Sequence, residues 1–573
     1  MFSQPPRPLF FVFLAVLLLT SRVAFADTSR QTEVGSEEER LRRPKTTEVP
    51  ERSVIPIEIP PEGEMPAEAG KAVPIRIVRV AVEGSTLLSD AQIKSLTAPV
   101  IDQTVTLTEL RKVAFAMTRW YRGKGYVTSR AFIPAQPVEK GLVRIRVIEG
   151  KVGEIKVQGN RWFSTELLTS YVRIHSGEIL WMPKLEEALV QLNAHPDRKV
   201  KLVLAPSTVP ETTDIILQVT DQQPFHANYG VDTLGTKETG FIRQSVGVSH
   251  GNLTGHDDQL LVRGIISEFG GIRGGALSYL RPLTASGISG TFDVSGVSSS
   301  VGKDLKGLLA SGDAVTLSPG LIIPIIRRTH WEMEFVPGFD FKRIRTYLDN
   351  RTSSKDDLRV ARLGTNLLEQ DPDGKGRSLF TQELRVGIPN ILGGSHPNDI
   401  AASRAQTGGS FIRWLVNLAR VQQGPWGTSL VFRGSSQLAN DRLVPAEQMR
   451  LGGFDSVRGY PEGEFLADYG YQTTIELRAP LERLIPGSSH EKSPLGLLRR
   501  SLQLIGFWDF AEGFLRSPQV GEDADMRLSG VGCGFRIRPT AESVIQTDFG
   551  WAVGDRDSEK DRPRVHLICR FGF

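Results

Sequence analysis

The chain has 573 residues, of which 69 are Lys or Arg and 65 are Asp or Glu, so its formal net charge is only +4. This balance gives no electrostatic case for nucleic-acid binding, which needs a strongly basic surface. Two cysteines exclude a disulfide framework, and 57 glycines with 40% hydrophobic residues are typical of many short alternating strands.

The amino-terminal segment, residues 1–26, has the pattern of a signal peptide. Arg7 precedes an apolar run over residues 9–19, and Ala-Phe-Ala at 24–26 is a small-x-small cleavage site. The apolar run is too short to span a bilayer, and no later stretch reaches the ~18 apolar residues of a membrane helix. If the mature chain enters a membrane, it must therefore cross it with strands.

Residues 27–73 are rich in Glu, Pro and Arg and contain no aromatic residue. Such a segment buries too little apolar surface to fold alone, so we expect a disordered linker. A short helix is possible over 36–43, because acidic residues come first and basic residues last, the order that the helix dipole favours. Pro44 would end that helix.

Residues 74–150 are predicted to form a small α/β domain. Ser89 is expected to cap a first helix, and Thr106 or Thr108 opens a second that ends near Gly123. Alternating strands are predicted at 75–82, 126–133 and 142–148.

Residues 151–222 repeat this order of elements. Strands are expected at 152–157, 199–205 and 214–219, with helices at 164–172 and 183–192. A β-α-α-β-β unit that occurs twice, ~75 residues apart, is an internal repeat. Each three-stranded sheet leaves one strand edge open, and an open edge can pair with an extended peptide.

Residues 223–573 change to a pattern of strands and turns. At ~22 residues per strand and turn, this region holds about 16 strands, an even number as transmembrane barrels require. Examples of these strands are 225–231, 241–249, 259–266, 276–280, 329–341, 378–386, 410–421, 429–438, 470–481, 502–510, 527–538, 544–551 and the terminus. The strands of a soluble β-sandwich would also alternate between apolar and polar residues. A sandwich does not, however, account for charged residues along one face of so many strands.

The last nine residues, 565–573, are the strongest sign of a barrel. Every second residue back from Phe573 is apolar, including Phe571, and the intervening residues are mixed to polar. A strand between lipid and a wet lumen has this pattern, and its backbone must be paired on both edges. The alternative is an ordinary edge strand that ends on Phe by chance. The free aromatic end is also a segment that a barrel assembly machinery can recognise.

The whole mature chain resembles the outer-membrane transporters of two-partner secretion, of the hemolysin-activator type. The resemblance rests on Tyr-Arg-Gly-Lys-Gly-Tyr at 121–126, Ser-Arg-Ala-Phe-Ile-Pro-Ala-Gln at 129–136, Val-Ile-Glu-Gly at 147–150 and Leu-Gly-Gly-Phe-Asp-Ser-Val-Arg-Gly-Tyr at 451–460. It implies two periplasmic POTRA domains (74–150 and 151–222), then a 16-stranded transmembrane β-barrel (223–573) in the cell outer membrane.

The resemblance also implies a lumenal site. In this family a signature loop, here 440–469, folds back into the barrel, and its tip corresponds to Val457, Arg458, Gly459 and Tyr460. The Arg pairs with the Asp of a Phe-x-Asp-x-Gly motif on a later strand, matched here by Phe507 and Asp509, with Ala511 in place of the Gly. Asp455 is the next candidate partner. The family has an amino-terminal helix that plugs the pore, and 36–43 is the only candidate for it.

The implied function is recognition of an unfolded exported protein by the POTRA domains and its passage to the cell surface without ATP. The partners are then a large secreted polypeptide, such as a β-helical adhesin or cytolysin, the barrel assembly machinery and outer-membrane lipid. An outer-membrane insertase of the same superfamily and a passive porin are the alternatives. Two repeats favour secretion over insertion, since insertases usually carry more. The long segment ahead of the barrel argues against a porin.

Enzyme functions find little support in the sequence. The Asp-Gly-Lys-Gly stretch at 373–376 lacks the upstream glycine of a phosphate loop, because Glu369 stands there. His330, Glu332 and Glu334 alternate with apolar residues, which favours a polar lumen wall over a metal site. We therefore predict no catalytic residues, no metal and no cofactor.

Overall fold

The computed structural model describes residues 34–42, 57–58, 74–284, 286–300, 310–328, 330–484, 499–519, 522–540, 542–554 and 562–573. The predicted signal peptide, 1–26, lies outside these residues. Within the expected linker, 27–73, the structure describes helix α1 (Val34–Arg42) and the two-residue strand β1 (Ile57–Glu58). The helix begins two residues before the predicted segment and ends one residue earlier.

The first α/β unit is a three-stranded sheet covered by two helices. Both helices begin with a capping box, in which Ser89 pairs with Gln92 and Thr106 with Glu109. Its elements are β2 (Ile75–Arg76), β3 (Arg79–Glu83), α2 (Asp90–Thr97), β4 (Thr104–Val105), α3 (Leu107–Gly123), β5 (Arg130–Phe132) and β6 (Leu142–Ile148). The sheet order is β3-β6-β5, with β3 and β6 parallel.

Two of the strands predicted in this unit are shorter than expected. The strand predicted at 75–82 is broken between β2 and β3, and the strand predicted at 126–133 is reduced to β5. Gly125 adopts a φ of +90°, and the N–H of Tyr126 returns to the carbonyl of Tyr121 at 3.0 Å. Residues 126–129 therefore complete the helix end rather than begin the strand.

The second unit repeats the topology. Its elements are β7 (Lys151–Gln158), α4 (Thr165–Ser170), α5 (Met182–Ala194), β8 (Arg198–Pro206) and β9 (Thr212–Asp221). Strand β9 lies in the middle, parallel to β7 and antiparallel to β8, as β6 lies between β3 and β5. Each unit has a separate apolar core, and burying each large aliphatic side chain contributes roughly 1.5–3 kcal/mol.

The two units meet at the glycine turn that follows α3. The N–H of Met182 donates to the carbonyl of Gly125 at 2.9 Å, and the indole N–H of Trp181 donates to the carbonyl of Lys124 at 3.1 Å. A Cβ at Gly125 would lie 2.9 Å from Pro183 Cδ, so a side chain there would separate the units.

Sixteen strands of the described residues close into one antiparallel barrel. They are β10 (Phe225–Asp232), β11 (Arg243–His250), β12 (Gln259–Ser267), β13 (Ile272–Pro282), β14 (Ser289–Ser300), β15 (Ala310–Arg327), β16 (Trp331–Leu348), β17 (Arg351–Gln370), β18 (Gly376–Gly387), β19 (Phe411–Gln423), β20 (Ser429–Ala439), then, after the ribbon of β21 (Met449–Leu451) and β22 (Phe465–Ala467), β23 (Tyr469–Pro480), β24 (Leu502–Phe514), β25 (Asp525–Ile537), β26 (Val544–Ala552) and β27 (Arg564–Gly572). The predicted fold class and strand number are confirmed.

Three barrel strands, β14, β15 and β17, are not among the examples located individually in the sequence. The remaining predicted strands agree with observed ones, although several observed strands are longer. A short helix, α6 (Leu481–Leu484), follows β23. In the described part of the chain, no helix is both long enough and apolar enough to cross a membrane.

The first and last strands close the barrel. They pair antiparallel from Asn228↔Gly572 to Asp232↔Ile568. The pairing continues beyond Gly572, because the N–H of Phe573 donates to the carbonyl of Ala227 at 2.8 Å. Closure leaves the barrel without a free strand edge, which is the condition for a sheet surrounded by hydrocarbon.

Candidate functional site

The loop between β20 and β23, residues 440–468, folds back into the barrel. Its root is the antiparallel ribbon of β21 and β22. The buried carboxylate of Asp468 fixes this root by accepting hydrogen bonds from the backbone N–H of Leu443 at 3.0 Å and from Arg404 Nη1 at 2.9 Å. Because both ends of the loop are held, its tip stays inside the lumen.

Arg458, at the tip, binds Asp509 on the barrel wall. Its Nε lies 2.8 Å from Asp509 Oδ2 and its Nη2 lies 2.9 Å from Oδ1, a bidentate arrangement. The backbone N–H of Arg458 also donates to Oδ2, at 3.0 Å. The arginine is only 2% exposed and the aspartate is fully buried. One carboxylate thus fixes both the backbone and the side chain of the tip.

Two more carboxylates surround the same guanidinium. Arg458 Nη1 lies 3.1 Å from Glu476 Oε2 and 3.1 Å from Asp548 Oδ2. The ring of Phe507 lies against the cation, with its centroid 3.3 Å from Cζ. Since a buried pair that loses one partner typically costs ~3–5 kcal/mol, the tip is strongly held.

Glycines on the wall make room for the tip. A Cβ on Gly530 would lie 2.1 Å from the carbonyl oxygen of Arg458, and one on Gly550 would lie 2.6 Å from the nitrogen of Gly459. Gly459 itself has a φ of +107°, which only glycine adopts without strain. The wall of β25 and β26 is therefore shaped to receive the loop backbone.

Apolar packing supports the polar contacts. Val457 and Tyr460 are buried in a cluster with Leu451 and Phe465 of the ribbon and with Ala511 of β24. Ala511, which replaces the family glycine, is fully buried, and β24 pairs with both neighbours without a register shift. The replacement adds a methyl group to this cluster and leaves the strand regular.

Helix α1 lies inside the lumen and its acidic residues face the wall. Glu39 Oε1 is 2.7 Å from Arg385 Nη1, and the carboxylate is also 3.7 Å from Arg413 and Lys342. Glu38 accepts a hydrogen bond from Thr316 Oγ1 at 2.8 Å. These contacts fix the helix to strands on one side of the barrel.

The helix also binds the loop. Arg40 lies 3.2 Å from both Asp455 Oδ2 and Glu462 Oε2, and Glu37 Oε1 accepts a hydrogen bond from Arg450 Nη1 at 2.6 Å. Asp455, the second candidate for Arg458, therefore pairs with Arg40 of the helix. Because helix and loop share these ion pairs, neither can leave the lumen without breaking contacts of the other.

The strand edge of the second unit is occupied. Strand β1 pairs with β8 in parallel, through Ile57↔Leu202 and Glu58↔Val203. In the first unit the equivalent strand, β5, pairs with β6 alone among the described residues. One edge is thus covered by the chain's own amino-terminal segment, and at the other the backbone N–H of Ala131 donates to Thr118 Oγ1 of α3 at 2.9 Å.

The second unit is fixed to the barrel through Asp257, in the turn between β11 and β12. Arg198 contacts both oxygens of Asp257, at 2.7 and 2.6 Å, and the Tyr171 hydroxyl donates to Oδ2 at 2.5 Å. Burial lowers the pKa of His195, whose Nε2 lies 2.6 Å from the carbonyl of Gly251. The joint is a buried, fully bonded contact rather than a loose hinge.

The terminal aromatics lie at the closing seam. Phe571 pairs with Tyr229 of β10, and the side chain of Phe573 is 76% exposed on the outside of the barrel. Neither residue belongs to the apolar cluster that packs around the loop tip. Sequence reasoning missed the wall glycines, the ion pairs of Arg40 and the Arg198–Asp257 joint.

Two models of known families match the chain. The POTRA domain of ShlB type matches residues 75–150, and the haemolysin secretion/activation protein ShlB/FhaC/HecB matches residues 211–496. The chain belongs to the ShlB/FhaC/HecB family. The predicted family is thereby confirmed, as is the predicted location in the outer membrane, with the POTRA domains in the periplasm.

Several known transporters of this family are similar over most of their length. The outer membrane transporter CdiB of Escherichia coli O6:K15:H31 (strain 536 / UPEC) is 26% identical over 466 residues, 78% of this chain and 76% of that protein. The hemolysin transporter protein ShlB of Serratia marcescens is 25% identical over 527 residues, 89% and 88%. The solved structure of Escherichia coli CdiB has a TM-score of 0.71 at 22% identity, covering 91% of this chain and 94% of the other, and shares the fold.

Proposed function

We propose that this protein is the pore of a two-partner secretion system. It recognises one exported, unfolded polypeptide in the periplasm and passes it through the barrel lumen to the cell surface. The observation that carries the proposal is the lumen itself, which is occupied by helix α1 and by the loop, each bound to the barrel wall by ion pairs. Both are held by side-chain bonds, which can be broken without unfolding the wall.

The periplasmic domains, 74–150 and 151–222, supply the receptor. An extended segment of the exported chain can pair with β8 after β1 has left it, or with the edge of β5 once Thr118 has released the backbone of Ala131. Backbone pairing tolerates many sequences, while the side chains beside each edge select the partner. The joint at Asp257 then keeps the second domain beside the barrel mouth.

The closed seam favours secretion over insertion of other barrels. Backbone pairing between β10 and β27 extends from Ala227 and Phe573 to Thr233, whose N–H donates to the carbonyl of Leu567 at 3.0 Å. An insertase must pass strands sideways into the membrane, and a paired seam opposes this. A passive porin would not need a helix and loop bonded across its lumen.

The exported partner is expected to be a large polypeptide such as a β-helical adhesin or cytolysin. No catalytic residue, metal or cofactor is assigned to the pore. Without nucleotide in the periplasm, folding of the exported chain at the surface would make its return unfavourable. The barrel assembly machinery would insert the barrel, with Phe571 and Phe573 as its recognition signal.

The test is export of the partner from cells that produce both proteins. Deletion of residues 72–149 should stop export and leave a heat-modifiable barrel in the outer membrane, because each domain has its own core. Loss of other outer-membrane barrels, with export unchanged, would instead indicate an insertase. Unchanged export and unchanged barrels would reject the assignment of the first domain as receptor.

A further inference from the structure

The outward face of β16 marks the height of the membrane. From Trp331 to Phe341 its outward residues are all apolar, with Met333, Phe335, Pro337 and Phe339 between them. Ten residue steps span about 33 Å of strand, which a tilt near 40° reduces to about 25 Å, the height of the apolar band of such barrels. Phe341 therefore lies at the extracellular edge of the hydrocarbon.

Basic side chains follow directly above Phe341. Arg345 Nη2 lies 3.0 Å from both oxygens of Asp357, Lys355 Nζ lies 3.2 Å from Oδ2, and Arg343 Nε lies 3.8 Å from Oδ1. Three cations thus share one carboxylate, which is itself buried. The carboxylate orders the group but neutralises only one of the three charges.

Two of the three cationic side chains are exposed on the outside of the barrel. The side chain of Arg343 is 72% exposed and that of Lys355 is 49% exposed, whereas Arg345 is 18% exposed. Another carboxylate, Asp313, stands opposite Arg345 on β15 and accepts a hydrogen bond from Ser298. Even with Asp313 included, the group keeps an excess of one positive charge.

Arg359 and the loop residue Leu392 lie on the membrane side of this basic group. Arg359 lies over the ring of Phe341 at 5.6 Å, and its Nε and Nη2 donate to the carbonyl of Leu392 at 3.1 and 2.8 Å. Leu392 is consequently held at the height of the apolar band's edge with its side chain 70% exposed. The patch therefore offers cations above and an apolar side chain below.

We propose that Arg343, Arg345 and Lys355 bind a phosphate group of lipopolysaccharide in the outer leaflet. The cations lie where the phosphorylated sugars of that lipid begin, and the guanidinium fork matches a phosphate. Phe341 and Leu392 contact its acyl chains. At the periplasmic end of the same two strands the outward residues are Trp331 and Glu369, so the basic group belongs to one leaflet. The site does not depend on the secretion activity.

The test is titration of the purified full-length protein in detergent with rough-type lipopolysaccharide, with its dephosphorylated form and with phosphatidylglycerol. The double variant Arg343→Ser/Lys355→Ser should bind the phosphorylated lipid at least about tenfold more weakly than the wild type. The wild type should bind both the dephosphorylated lipid and phosphatidylglycerol more weakly than it binds the phosphorylated lipopolysaccharide. Both positions are exposed, and heat-modifiable migration checks that the barrel is intact.

The matched control is Arg281→Ser/Lys375→Ser, which removes one arginine and one lysine from exposed positions at the opposite rim. It should bind as the wild type does, and Arg343→Lys/Lys355→Arg should retain most of the affinity. Equal binding by the wild type and the serine double variant would overturn the proposal. Equal binding of phosphatidylglycerol and lipopolysaccharide by the wild type would also overturn it.

Discussion

Arg458 is bonded to Asp509 three times, twice through its guanidinium at 2.8 and 2.9 Å and once through its backbone N–H at 3.0 Å. The backbone bond does not depend on the side chain at position 458. Loss of the arginine side chain therefore weakens the contact, while loss of the aspartate removes all three bonds. The two positions are unequal partners, and their variants should differ.

We expect Arg458→Ala to abolish export or reduce it strongly while the barrel still inserts. Arg458→Lys should be intermediate, because an ammonium keeps the charge but cannot form the bidentate pair. Asp509→Ala should be at least as severe as Arg458→Ala. The measurements are export of the partner and the amount of heat-modifiable barrel. Normal export by Arg458→Ala at wild-type abundance would contradict this role of the loop tip.

Exchange of the two charges provides a sharper form of the same test. In Arg458→Asp with Asp509→Arg, the new carboxylate would face Glu476 and Asp548, each 3.1 Å from the former Nη1. The double variant should therefore recover little of what either single change loses, although a simple pair would recover part of it. Substantial recovery would mean that these two further carboxylates do not act on the tip.

The wall glycines predict a second class of variant. Gly550→Ala should displace the loop tip, since its Cβ would lie 2.6 Å from the nitrogen of Gly459. Gly506→Ala is the matched control, because nothing lies within 4 Å of a Cβ at that position. Export and protease accessibility of the loop should change in the first variant only. Equal behaviour of the two would place the tip away from β26.

The plug contacts predict changes in conductance. Glu37→Gln with Glu39→Gln removes the ion pairs to Arg450 and Arg385 and leaves these arginines without the helix carboxylates. The helix should leave the lumen more often, so single-channel recordings in planar bilayers should show longer or larger openings. Glu482→Gln, at an exposed position outside the lumen, is the control. Identical recordings for all three proteins would be inconsistent with a plug held by charge.

The first POTRA domain should depend on pH through Glu149. Burial opposes its charge, but hydrogen bonds from Thr86 and Tyr121 and from the amides of Thr86 and Leu87 outweigh burial and lower its pKa. A lowered pKa stabilises the fold above the ordinary Glu value of about 4.3, and this stabilisation is lost as pH falls through the folded value.

Glu149→Gln should therefore weaken the domain at pH 7 and flatten its acid transition. Hydrogen exchange at the amides of Thr86 and Leu87 in the full-length protein measures both effects. Glu139→Gln, an exposed neighbour in sequence, should leave exchange unchanged. Equal protection in wild type and Glu149→Gln at pH 7 would exclude the carboxylate as the anchor of this segment.

Deletion of Phe573 should reduce the amount of folded barrel without reducing export per inserted molecule. The residue adds backbone bonds to Ala227 at the seam and its ring is exposed, whereas the carboxylates that bind the loop tip lie on β23, β24 and β26. Outer-membrane abundance and export, measured together, separate assembly from transport. Normal abundance with impaired export would instead assign Phe573 to transport and contradict its role in assembly.

The strands that can be located individually in the sequence are those in which apolar and polar residues alternate clearly, and three others lack that clear alternation. Strand β14 is rich in Ser and Gly, β15 contains Pro319 and Pro324, and the first part of β17 carries Lys355, Asp356 and Asp357. Pro324 is accommodated where the register shifts between β15 and β16. The charged part of β17 stands above the apolar band, where the membrane no longer imposes an apolar outward face.

The residues of the candidate site could be predicted only where they form a short sequence motif. Val-Arg-Gly-Tyr and Phe-x-Asp are such motifs. Glu476 and Asp548 cannot be distinguished in the sequence from other lumenal carboxylates, because only the position of the loop tip shows that they contact Arg458. Gly530 and Gly550 carry still less signal, because a glycine within a strand simply weakens a strand prediction. The charge order of α1 predicted a helix but contained no information on where the helix would bind.

The elements that hold the tip form one continuous stretch of chain. The loop and its contacts on β23, β24, β25 and β26 all lie between residues 440 and 552. Recombination between related transporters within this stretch would separate a tip from its binding surface. Exchange of the whole stretch would transfer both together. The segment is therefore the smallest unit that a chimera can inherit with its loop tip still anchored.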